Sequence, residues 1–110
     1  MRILFDHNTP APLAGFLRGH DVTRAAQRGW QMLTNGTLLT EAESAGFELL
    51  LTCDQNVPYQ QNLTGKKIAL LILSTNQWPK VRPHCARIAR IVDLVQSGEV
   101  VRVDLAADEI

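Results

Sequence analysis

Residues 68–73 read Ile-Ala-Leu-Leu-Ile-Leu, and residues 47–53 read Phe-Glu-Leu-Leu-Leu-Thr-Cys. Neither the first run nor Leu49-Leu50-Leu51 within the second alternates apolar with polar side chains. A strand with one wet face would alternate; a strand covered on both faces does not. These two segments are therefore read as central strands of a sheet packed from both sides.

The neighbouring segments agree. Before the first of these strands, Thr34-Asn35-Gly36 reads as a helix start with Asn35 as its cap, Leu38, Leu39, Ala42 and Ala45 form an apolar face, and Gly46 closes the helix. Further back, Arg2 to Phe5 is a short apolar strand, Pro10 and Pro12 open a helix carrying Leu13, Phe16 and Leu17, and Asp21-Val22-Thr23 is a second short strand. The pattern from Arg24 to Leu33 has Gly29-Trp30 as its main landmark. Towards the C-terminus, Pro83 suits the first position of a last helix whose buried stripe is Cys85, Ile88, Ala89, Val92 and Val95, ended by Gly98. Val100 to Val103 is a final strand. Alternation of this kind predicts one α/β domain over residues 1–110, a mostly parallel central sheet with helices on both faces.

Bulk properties set limits on function. The chain has 110 residues, 45% of them hydrophobic, which suffices for one real core. Lys and Arg total 11 and Asp and Glu total 11, so bulk charge does not drive it onto nucleic acid or membrane. Cys53 and Cys85 lack the close spacing of zinc or redox pairs, and they read as reduced buried thiols of a cytoplasmic protein. Asp6 follows the N-terminus too soon for a signal peptide, and no apolar run approaches the ~20 residues of a membrane helix.

In an open parallel sheet, ligands bind beyond the carboxyl ends of the strands. Asp6 and Asn8 follow the first strand, Thr52, Asp54 and Asn56 the third, and Ser74, Thr75, Asn76 and Gln77 the fourth. Loops are polar everywhere, and only the combination of these residues points to a site. Two Asp residues at neighbouring strand ends repel unless a cation or proton lies between them. A magnesium ion suits such a place, because it binds through few carboxylates and keeps several waters. A third acid would come from the helix before residue 47, where Glu41 and Glu43 flank the apolar face on opposite sides. Helical geometry alone does not choose between them.

The string Ile3-Leu4-Phe5-Asp6-His7-Asn8-Thr9-Pro10 resembles the opening of PIN-like domains. Asn35 through Leu39 with Ala42-Glu43 and Gly46-Phe47 resembles their second, acidic helix. Leu51 through Asn56, with Tyr59-Gln60-Gln61-Asn62-Leu63, resembles small PIN-like proteins related to the VapC-like toxins. The similarity runs from about Arg2 to Val103. It implies a three-layer α/β/α fold and a metal-dependent endoribonuclease, the toxin of a toxin–antitoxin pair. Asp6, Glu43 and Asp54 would hold Mg2+ or Mn2+, with Asn8, Asn35, Thr52, Asn56, Thr75 and Asn76 as supporting groups. RNA, a small antitoxin protein and a second copy of the chain are the implied partners.

Relatives of this type carry acids near Asn35 and two residues beyond Asp54, where this chain has amides. An amide offers a carbonyl oxygen but no negative charge. The alternative expectation is thus a slow or inactive module that binds RNA or a protein partner. A phosphate-accepting signalling domain, with Asp54 as acceptor, has only one acid after the first strand and no Lys after the fifth. Lys80 and Arg82, in the loop after the fourth strand, are the expected phosphate contacts, and Tyr59 and Trp78 could stack on bases.

Overall fold

The computed structural model describes residues 1–56 and 65–105, with the backbone alone for residues 35 and 36. Its strands are β1 (Arg2–Phe5), β2 (Asp21–Arg24), β3 (Leu49–Thr52), β4 (Ala69–Leu73) and β5 (Val100–Val103). They form one sheet in the order β2-β1-β3-β4-β5, with every pairing parallel. Among the described residues the helices are α1 (Asn35–Ser44), α2 (Trp78–Val81) and α3 (Cys85–Leu94), with short 3-10 segments at Ala11–Phe16 between β1 and β2, Ala25–Arg28 between β2 and α1, and Arg82–His84 between α2 and α3.

Side chains on successive strand residues point to opposite faces, so an unbroken apolar run feeds two cores at once. Ile3, Phe5, Leu49, Leu51, Leu71 and Leu73 pack on one side with Leu13 and with Cys85, Ile88 and Val92 of α3. Leu4, Leu50, Leu70 and Ile72 pack on the other with Leu38, Leu39 and Ala42 of α1. The result is the expected three-layer α/β/α arrangement. Each of these leucines is at most 1% exposed, and truncating one to Ala would cost about 2–5 kcal/mol.

Several element boundaries differ from the sequence reading. The first helix is a 3-10 segment, because two prolines and Gly15 within Pro10–Phe16 leave too few residues for a longer one; Phe16 stays 46% exposed. The cap of α1 is Thr34, not Asn35. The last helical stretch starts earlier, at Trp78, and Pro83 sits in the 3-10 turn that links α2 to α3. Helix α3 stops at Leu94; Val95 is already extended, and Gly98 with φ +79° belongs to the turn before β5. Among the described residues, no helix is long and apolar enough to cross a membrane.

Candidate functional site at the carboxyl ends of the strands

Strand order reverses between β1 and β3, since the chain leaves β1 towards β2 on one side and returns to β3 on the other. In open α/β sheets such a reversal opens a crevice beyond the carboxyl ends. Asp6 stands at this point: its backbone N–H donates to Leu51 O at 2.9 Å, extending the ladder one residue past β1. Its side chain is only 2% exposed. A carboxylate so buried must be supplied with donors.

Three groups supply them. The His7 backbone N–H donates to Asp6 Oδ1 at 2.7 Å, and His7 Nδ1 lies 2.9 Å from the same oxygen. Thr52 Oγ1 donates to Oδ2 at 2.7 Å. With two lone pairs per oxygen, Oδ1 is fully used and Oδ2 retains one acceptor position. The same Thr52 hydroxyl, wholly buried, accepts the Asp54 backbone N–H at 3.1 Å. Asp6 and the Asp54 backbone are therefore fixed to each other through one hydroxyl. Asp54 Oδ1 accepts the Asn56 N–H at 2.9 Å, a local turn that holds the half-buried carboxylate after β3.

Around this pair, Asn8 Oδ1 accepts the Cys53 N–H at 3.2 Å, and Thr9 Oγ1 donates to Leu51 O at 3.0 Å. Both bonds tie the loop after β1 to β3. Cys53 Sγ donates to Thr75 O at 3.5 Å, and Gln55 Nε2 donates to Leu73 O at 2.6 Å, which ties β3 to the end of β4. Thr75 Oγ1 accepts the Gln77 N–H at 3.2 Å, and Asn76 is exposed. Burial drives the Cys53 thiol up to about 11, the nearby Asp6 charge adding to the rise and the Thr9 hydroxyl opposing it. Cys53 thus stays protonated and acts as a packed, weak donor.

Asp6, Asn8, Asp54, Asn56, Thr75 and Asn76 follow strand carboxyl ends, as the sequence predicts, whereas Thr52 is the last residue of β3 itself. Glu43 does not join them. Its Oε2 accepts the backbone N–H groups of Lys67 at 2.6 Å and Ile68 at 3.2 Å, and Lys66 Nζ lies 3.6 Å from Oε1. Lys67 and Ile68 precede β4, so Glu43 sits at the amino ends, roughly 13 Å of strand away from Asp6. The cause is chain direction. Helix α1 carries the chain from the carboxyl end of β2 back to the amino end of β3, and Glu43 is one residue from its end. Direction of travel, rather than helix face, is the signal that separates the two ends.

Lys80 and Arg82 lie in α2 and the following 3-10 turn rather than in a loop, and both are exposed. The side chain of Asn35 and the whole of Tyr59, Gln60, Gln61 and Asn62 lie outside the described residues. His7, given no role from sequence, is the one group whose imidazole touches Asp6; only the loop conformation after β1 reveals it.

Hard oxygen donors of this kind suit a magnesium or manganese ion. Among the described residues, however, no three His, Cys, Asp or Glu side chains are grouped to hold one. The fit is therefore in kind: Asp6 Oδ2, the Asp54 carboxylate and the Asn8 amide oxygen could serve an ion that keeps water and arrives with phosphate oxygens. A second cleft, of about 290 Å³, opens at the amino ends beside Glu43 and Glu48. Both of its acids are engaged by backbone amides, Glu48 by the Arg2 N–H at 2.8 Å. No protein-family model, curated protein or solved structure matches the chain.

Proposed function

We propose that this chain is a cytoplasmic PIN-like ribonuclease that hydrolyses RNA with Mg2+ or Mn2+ as cofactor, using Asp6 and Asp54 as its acids. The observation that carries the reading is the buried Asp6 at the strand-order reversal, fixed through Thr52 to the Asp54 backbone. When bound, such an ion neutralises charge on a phosphodiester and lowers the pKa of water. Asp6 offers its one open acceptor position on Oδ2, held in direction by Thr52 and His7. Asp54 is positioned by its own turn, and Asn8 offers the second lone pair of its amide oxygen to a water or phosphate. Glu43 is not in this set. A toxin role, with a small protein inhibitor and a homodimer, follows from the same resemblance.

The test combines manganese calorimetry with RNA cleavage for the wild type, Asp6→Asn, Asp54→Asn and Glu43→Gln. Wild type and Glu43→Gln should bind manganese and cleave alike, while both Asp variants lose cleavage. Intact RNA after long incubation of the wild type with either ion rejects the nuclease.

A second reading is favoured by the commitment of Glu43 at the far end of the sheet: a module that binds RNA without cleaving it. It predicts that Asp6→Asn keeps the wild-type affinity for RNA. Loss of binding in that variant would exclude it.

A further inference from the structure

We propose that the RNA backbone docks in a cleft beside α3, with Arg18 and Arg82 as phosphate-contacting residues. The proposal deepens the reading above and rests on RNA being the ligand. The cleft measures about 640 Å³ and is open to solvent. It is lined by Phe16 and Arg18 from the chain between β1 and β2, and by Arg82, Pro83, Cys85 and Ala86 from the start of α3 and the 3-10 turn before it.

Charge is the first argument. Among the described residues, no acidic side chain lines the cleft, and neither guanidinium has a hydrogen-bond or ion-pair partner. In a chain of zero formal net charge, two unpaired guanidiniums facing one cleft form a local positive site. Arg90 lies four residues beyond Ala86 and prolongs the same helix face with a third exposed positive charge. Planar guanidinium groups match phosphate oxygens in a two-pronged fashion.

Position is the second. The 3-10 segment Ala11–Phe16 follows the carboxyl end of β1, and α2 follows that of β4, the same strand ends that carry Asp6 and Thr75. Phe16 and Trp78 meet with ring centroids 6.1 Å apart, at the junction between those strand ends and the cleft. Phe16 is 46% exposed and lines the cleft together with Arg18 and Arg82. Positive groups next to an exposed aromatic suit an unpaired strand, whose bases stack while its phosphates pair. An acidic peptide would use the charge but has no need of the ring.

The experiment measures binding of a fluorescent single-stranded oligoribonucleotide by anisotropy across a salt series. Variants are Arg18→Ala with Arg82→Ala, Phe16→Ala, and Lys67→Ala as a charge control at the opposite end of the sheet. The double Arg variant should bind at least about tenfold more weakly, and its salt slope should fall by about 1.4, the value for two phosphates of a single strand. Phe16→Ala should weaken binding without changing the slope, and Lys67→Ala should match the wild type. Unchanged affinity and slope in the double variant would overturn the proposal, as would displacement by polyglutamate equal to that by unlabelled RNA. RNA binding that depends on Arg18 and Arg82 without any cleavage keeps the cleft and removes the nuclease. Cleavage whose KM ignores both arginines does the reverse.

Discussion

The Thr52 hydroxyl donates to Asp6 Oδ2 at 2.7 Å while accepting the backbone N–H of Asp54 at 3.1 Å, so one buried oxygen serves both strand ends. Thr52→Val keeps the shape of the side chain but leaves a buried carboxylate oxygen without its donor and an amide without its acceptor. The variant should lose about 1–3 kcal/mol in urea denaturation. Thr52→Ser keeps the hydroxyl and should lose about 0.8 kcal/mol, the worth of one methyl group. Equal losses in the two variants would show that the hydroxyl does not matter.

Glu43 predicts a stability effect with a defined pH dependence. The Lys67 and Ile68 amides, in that order, hold its carboxyl below the usual range, with a smaller contribution from Lys66. A carboxyl lowered by folding contributes stability that is complete above its unfolded value and disappears as pH falls through the folded one. Glu43→Gln should therefore be less stable than the wild type at pH 7, by about 1 kcal/mol for a partly exposed charge-assisted pair. The gap should close as pH falls from the ordinary carboxylate range through the lowered folded value. A gap that stays constant over that range would contradict this account.

Cys53 should be inert in the folded protein. With its thiol pushed up to about 11 by burial, its thiolate population at pH 8 is about a hundredfold below that of an ordinary cysteine. Burial also raises the Cys85 thiol, against the pull of Arg82. Alkylation by iodoacetamide, followed by mass spectrometry, should be slow for both in buffer and fast for both in urea. Rapid labelling of Cys53 in buffer would mean that its surroundings open readily.

Gly46 tests the turn between α1 and β3. Its φ is +88°, and an added Cβ would lie 2.8 Å from Arg2 Nη1. That guanidinium donates to Ala45 O at 2.6 Å and covers the Phe47 ring at 4.5 Å, so it has little freedom to withdraw. Gly46→Ala should cost at least about 1–2 kcal/mol from the backbone conformation alone. Gly15→Ala meets nothing within 4 Å and should change stability by less than about 1 kcal/mol. Thermal melts of the two variants compare them directly.

The sheet was legible because burial on both faces leaves a plain mark, the uninterrupted apolar runs at Leu49–Leu51 and Ile68–Leu73. The strand-end rule then placed Asp6, Thr52 and Asp54 on one edge. Glu43 came instead from the resemblance, and position around a helix says nothing about which end of the sheet a residue reaches. The role of His7 beside Asp6 was not legible either, since it depends on a loop rotamer that no periodicity records. Pro83 reads from the sequence as a helix start, but the helical stretch begins at Trp78, and Pro79 already fills the early position that tolerates proline.

The placement of β1 between β2 and β3 also governs how the chain can assemble as it is made. Once Arg24 has emerged, Ile3-Leu4-Phe5 can pair with β2 on one side, but its other edge stays bare until Leu49 arrives. At ribosomal speed that interval lasts on the order of 1–5 s, long compared with the collapse of an apolar segment. The nascent chain thus passes through a stage in which a sticky strand edge awaits its second neighbour. Fragments ending before Leu49 should be captured by chaperones or aggregate, whereas chains extending through Val103, with α3 and β5 in place, should not.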